Sequence, residues 1–181
     1  MINVMFVCLG NICRSPMAEF ILKDMVRKRG IADDFCIASS ATSPEELGNP
    51  LYPSAARKLA SEGVPTTPRR AVTLKKSDYD KYDYIIAMER RNVENIKHIC
   101  GSDPDNKVSL LLSFAGRNDN IADPWYTGNF DITYDDIVEG CNGFLESIGY
   151  WVFGILICGQ TNLVGPFFYF IFCVIINIGR K

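Results

Sequence analysis

The chain has 181 residues, a length that suits one ordinary domain. Nineteen basic and 21 acidic residues leave a formal net charge of −2, with no surplus of positive charge to hold nucleic acid. Seven cysteines without a Cys-x-x-Cys pair and a single histidine argue against zinc; with no secretory signal at the start, they point to a reducing cytoplasm and unpaired thiols.

Ile2–Val7 is a short apolar run that reads as a buried strand. Ser15–Lys28 follows as a helix, with Met17, Phe20, Ile21 and Met25 at helical spacing. Phe35–Ser39 reads as a strand, and Ser43–Pro53, with Gly48, Asn49 and Pro50, as a loop. Pro53–Glu62 is a helix stopped by Gly63. Arg69, Arg70, Lys75 and Lys76 read as a solvated basic surface. Tyr84–Met88 is a strand and Glu89–Cys100 a helix that carries His98, read as a surface or half-buried residue and not as a ligand. Lys107–Leu112 is a strand, Phe114–Gly128 a loop, and Thr133–Ile148 a last amphipathic helix. Strands alternating with helices predict an α/β fold, a four-stranded parallel sheet flanked by helices on both faces. Residues 1–149 are taken as one domain. Ligands of such sheets bind beyond the carboxyl ends of the strands, where Cys8 falls.

The chemistry concentrates in Cys8-Leu9-Gly10-Asn11-Ile12-Cys13-Arg14-Ser15-Pro16, the turn from the first strand into the first helix. A helix N-terminus carries unpaired N–H groups and a partial positive charge, which together attract phosphate. Gly10 lets the loop curl its N–H groups inward. Arg14 presents a planar fork that matches two phosphate oxygens. The same field favours the thiolate of Cys8, and Ser15 can donate to its sulfur. Pro16 fits a first helical turn. A cysteinyl-phosphate route also needs an acid for the leaving oxygen. Asp123, in Ala122-Asp123-Pro124-Trp125-Tyr126-Thr127-Gly128, is the candidate: Pro124 forces it extended, and Trp125 and Tyr126 can wall a pocket for a ring.

With both pieces in place, the chain resembles the low-molecular-weight protein tyrosine phosphatase family over about residues 2–148. Besides the two motifs, Ser40-Ala41-Thr42-Ser43, Gly48-Asn49-Pro50 and Asp83-Tyr84-Ile85-Ile86-Ala87-Met88 carry the likeness. The resemblance implies hydrolysis of phosphotyrosine in proteins without a cofactor. Cys8 would be the nucleophile, Arg14 the phosphate clamp and Asp123 the general acid, then base. Leu9, Gly10, Asn11, Ile12, Cys13 and Ser15 would complete the phosphate-binding loop, with Asn11 and Ser40 as its scaffold. Trp125 and Tyr126 would flank the substrate ring, with Ile12 and Glu45 also at the pocket. Cys13 would be the redox partner of Cys8, giving a reversible disulfide. Glu45 stands where members often carry an aromatic residue, and Arg69-Arg70-Ala71 stands where many have His-Arg-Ala. Two alternatives sit on the same scaffold. A phosphoarginine phosphatase would carry a small hydroxyl residue where this chain has Ile12. An arsenate reductase would need two further cysteines close together, whereas Cys36, Cys100 and Cys141 lie far apart in the chain.

Beyond Glu146 no charged residue occurs before Arg180, and Tyr150–Cys158 and Leu163–Ile178 are apolar. Residues 150–181 are therefore read as an extension: a membrane anchor or interfacial hairpin making membrane contact through 150–178, or a tail not native to the domain. The predicted partners are phosphotyrosine-containing proteins, with no nucleic acid.

Overall fold

The structure, a computed structural model, describes residues 1–150. The readings offered for 151–181, the membrane anchor among them, lie outside the described residues. Among the described residues no helix is long and apolar enough to cross a membrane.

Four strands form one parallel sheet in the order β2-β1-β3-β4: β1 Ile2–Cys8, β2 Phe35–Ala41, β3 Tyr84–Ala87 and β4 Val108–Leu110. The helices are α1 Arg14–Lys28, α2 Pro53–Ser61, α3 Arg90–Cys100, a short α4 Pro124–Thr127 and α5 Phe130–Ser147. β1 is central, and the two-residue period of a strand splits its side chains between two cores. Val4, Phe6 and Cys8 face α1, α2 and α5, among Met17, Ile21, Leu59, Ile137 and Phe144. Met5 and Val7 face the other way, among Ile85, Ala87, Ile96 and the Leu74–Tyr79 segment. Each fully buried side chain of this size contributes about 1.5–3 kcal/mol, so β1 is held from both sides. Helices thus cover both faces, as the alternating pattern predicts.

Most boundaries shift by one or two residues from the sequence reading, and three differences have a clear physical cause. β4 is shorter than Lys107–Leu112, because Leu111–Ala115 turns into a 3₁₀ helix that buries Leu111 and Leu112 under α5. The loop expected over Phe114–Gly128 contains α4, with Asp123 as its N-cap and Pro124 opening it. α5 begins at Phe130, not Thr133, because the Asn129 side chain accepts from the N–H groups of Asp131 and Ile132. After α5, Tyr150 is tied back at the amino end of the sheet. Its ring lies 5.3 Å from that of Phe35, its hydroxyl donates to Asp34, and its carbonyl accepts from Arg29.

Candidate functional site

β1 ends at Cys8 and α1 begins at Arg14, so the loop between them crowns the carboxyl end of the central strand. Its carbonyls are held on the outside. Cys8 O accepts from Thr42 N, Leu9 O from Ser43 N, and Ile12 O from Tyr52 N, each at 2.9 Å. Asn11 O accepts from Arg69 Nη1 at 2.8 Å. The N–H of Asn11 points the other way, onto Cys8 Sγ at 3.2 Å. Among the described residues the N–H groups of Leu9, Gly10, Ile12 and Cys13 have no hydrogen-bond acceptor. Carbonyls outside and amides inside make an anion-binding concavity.

Cys8 is 3 % exposed and Arg14 4 %. Cys8 Sγ shares a hydrogen bond of 3.0 Å with Ser15 Oγ. Ser15 Oγ in turn accepts from Asn11 Nδ2 at 2.9 Å, and its own proton has two acceptors in reach, Cys8 Sγ and the Ser40 carbonyl. Arg14 Nη2 lies 2.6 Å from Asp123 Oδ2 and 3.4 Å from Glu89 Oε1. Arg14 Nη1 is buried without a hydrogen-bond partner among the described residues. The second Asp123 oxygen accepts from Trp125 N, so α4 aims the carboxyl over the guanidinium. Cys8, Asn11, Arg14 and Asp123 line a cavity of about 220 Å³. Ile12, Cys13, Glu45, Trp125 and Tyr126 also line it, and the aromatic pair is largely exposed at its mouth. Tyr52 meets Trp125 edge-on at 5.6 Å and stacks on Phe130, which braces this wall.

Cys13 is a buried thiol whose pKa is pushed up to about 12, by burial first and then by the neighbouring charges of Cys8 and Asp123. Cys36 lies at the opposite end of the sheet, paired in register with Asn3. Cys100 closes α3 and Cys141 is buried in α5.

Three features depart from the sequence reading. Ser40 gives its carbonyl, not its hydroxyl, to the scaffold: Ser15 Oγ reaches Ser40 O at 3.3 Å, while Ser40 Oγ has no partner among the described residues. The hydroxyl that meets Asn11 is that of Ser39, at 2.9 Å. Arg69, expected on a solvated basic surface, is half-buried against Asn11, Ser39 and Glu19, because its fork finds acceptors inside the loop's support. Glu89, beside Arg14 and held by Asn92 Nδ2 at 3.1 Å, was not singled out either. Its place directly after the strand ending in Ala87-Met88 was the one available signal.

The sequence model of the family described as "Low molecular weight phosphotyrosine protein phosphatase" matches residues 3–150. The low molecular weight protein-tyrosine-phosphatase YfkJ of Bacillus subtilis is 37 % identical over 150 residues, 82 % of this chain and 96 % of that protein. Its crystal structure superposes with a TM-score of 0.77, covering 82 % of this chain and 94 % of its own. PtpA of Staphylococcus aureus strain MRSA252, another low molecular weight protein-tyrosine-phosphatase, is 36 % identical over 82 % of this chain and 94 % of its own. The crystal structure of DARP, a Drosophila arginine phosphatase, is 32 % identical with a TM-score of 0.74, covering 81 % of this chain and 97 % of its own.

Proposed function

We propose, from the premise that this chain belongs to the low molecular weight phosphotyrosine protein phosphatase family, that it hydrolyses phosphotyrosine in proteins through a cysteinyl-phosphate intermediate. The observation that carries this reading is the convergence of Cys8 Sγ, the Arg14 guanidinium and the Asp123 carboxyl on one cavity beneath inward-facing amides.

In the first step Cys8 Sγ attacks phosphorus in line with the phenolic oxygen. The P–O bond breaks as the P–S bond forms, and Asp123 delivers its proton to the leaving phenolate. Arg14 and the loop amides hold the three equatorial oxygens, where charge is greatest in the transition state. In the second step Asp123 takes a proton from water, the water oxygen bonds to phosphorus, and Cys8 leaves as thiolate, steadied by Ser15 Oγ and Asn11 N–H. Trp125 and Tyr126 flank the phenyl ring, with Ile12 against it. Glu45 at the rim disfavours acidic residues beside the phosphotyrosine.

The similarity to an arginine phosphatase keeps phosphoarginine as a second substrate to test. Ile12 weighs against it, since an apolar side chain at the cavity wall packs on a ring and accepts nothing from a guanidinium. Phosphate release from a phosphotyrosine peptide and a phosphoarginine peptide, measured side by side, decides the matter. The expected result is turnover of phosphotyrosine, abolished in Cys8→Ser. Asp123→Ala should slow phenyl phosphate by about 10²–10⁴-fold and p-nitrophenyl phosphate much less, because the better leaving group needs no proton. Turnover of phosphoarginine alone overturns the substrate. Turnover of neither by the folded protein overturns the reaction.

A further inference from the structure

We infer that Arg69 is a positioning residue, whose two-pronged grip on Asn11 holds the loop in the conformation that makes Cys8 reactive. The inference rests on the reading of Cys8 as nucleophile.

Asn11 is fully buried, with φ at +57°. Asparagine tolerates the left-handed region better than most residues, but the surroundings must still hold it there. That conformation turns the Asn11 carbonyl outward and its N–H onto Cys8 Sγ. Every polar group of Asn11 is then used. The N–H goes to the sulfur, and Nδ2 donates to Ser15 and Ser39, each at 2.9 Å. Oδ1 accepts from Val72 N at 3.1 Å and from Arg69 Nη2 at 2.6 Å, and the main-chain carbonyl from Arg69 Nη1 at 2.8 Å.

Among the described residues Arg69 is the one side chain that binds both the main-chain and the side-chain oxygen of Asn11. A planar fork on these two acceptors fixes the peptide plane and the side-chain torsion together, which a single-point donor cannot do. The fork is itself aimed. Ser39 Oγ accepts from Nη2 at 3.2 Å and donates to Glu19 Oε2 at 2.6 Å, and that same carboxylate oxygen lies 4.0 Å from Arg69 Nε. Glu19, which also pairs with Lys23, and Cys8 are the titratable groups that act on this guanidinium. The chain of contacts runs Glu19 to Arg69 to Asn11 to Cys8, and its first two members do not line the cavity.

The test uses the full chain. The pH dependence of iodoacetamide alkylation at Cys8, located by mass spectrometry, reads the thiolate directly. Turnover of p-nitrophenyl phosphate is measured in parallel. In Arg69→Met the alkylation midpoint should rise by about one pH unit, a tenfold loss of thiolate at a fixed pH below it, and kcat should fall by at least tenfold. Arg69→Lys keeps the charge without the fork and should fall between Met and the parent. Unchanged midpoint and kcat in folded Arg69→Met overturn the inference. Should that variant not fold, parental values for Arg69→Lys overturn it, and intermediate values support it. Failure of the phosphatase reading shows itself separately, as a parent protein without turnover whose Cys8 alkylation still reports on Arg69.

Discussion

The two thiols of the loop sit five positions apart and differ in what surrounds them. Cys8 Sγ accepts from the Asn11 N–H and shares a hydrogen bond with Ser15 Oγ, whereas Cys13 is walled in, its pKa pushed up to about 12 by burial and by neighbouring negative charge. At neutral pH Cys13 is therefore a protonated thiol. Iodoacetamide should modify Cys8 and leave Cys13 intact, with Cys13 labelling rising only as pH climbs toward 12. Disulfide formation after peroxide treatment should follow the same rise if Cys13 attacks an oxidised Cys8, because thiolate is the attacking form. Peptide mapping from neutral pH upward toward about pH 12 checks both. Equal labelling of the two cysteines at neutral pH would refute the assignment. Legibility at this scale follows chain distance. Cys8, Arg14 and Ser15 could be read because one turn holds them. Arg69 and Glu89 could not, because their contacts span 58 and 75 residues and only the folded sheet brings them in. A run of basic residues looks the same on paper whether one of them is buried or none is.

Among the elements, α5 and the Leu111–Ala115 turn pack through two glycines. A Cβ on Gly143 would stand 2.5 Å from Phe114 O and 2.9 Å from Ala115 N, both backbone atoms. One on Gly140 would stand 2.5 Å from Leu111 Cγ. Alanine has the better helix propensity by about 1 kcal/mol, yet here the contact should outweigh it. Gly143→Ala should destabilise the protein by about 1–3 kcal/mol, while Asp135→Ala on the exposed side of α5 should stay within about 0.5 kcal/mol of the parent. Urea denaturation of both variants checks this, and a Gly143→Ala protein as stable as its parent would contradict the packing. The sheet and major helices were legible, β1 as a continuous apolar run buried on both faces and α1 and α5 from the regular face that each buries. The 3₁₀ turn was not, because Leu110-Leu111-Leu112 continues a strand-like apolar run and only its packing under α5 bends it away. The caps Asp123 and Asn129 could have been found from their residue types; Asp123 was read for its chemistry alone.

Over the whole molecule, the parallel sheet separates two ends. The loop, Asp123 and Trp125 gather at the carboxyl end, whereas α5 runs back and leaves Tyr150 against Phe35 at the amino end. Arg29 secures that return, donating to Tyr150 O at 3.2 Å and to Asn142 Oδ1 at 3.0 Å. Arg29→Ala should therefore lower stability by about 1–2 kcal/mol and leave phosphotyrosine-peptide turnover unchanged at temperatures where the protein stays folded. Thermal melts and peptide assays on the full chain test the two halves of that statement. A large fall in turnover by folded Arg29→Ala would mean that the two ends are coupled.

That separation also sets how the protein can be handled. Seven residues of β1, about 20 Å of extended chain, lie between the tether of Tyr150 and the Cys8 sulfur. A fluorophore placed at position 150 itself would thus sit at the pole opposite the mouth, where it reports on the return of α5 without meeting a ligand in the cavity.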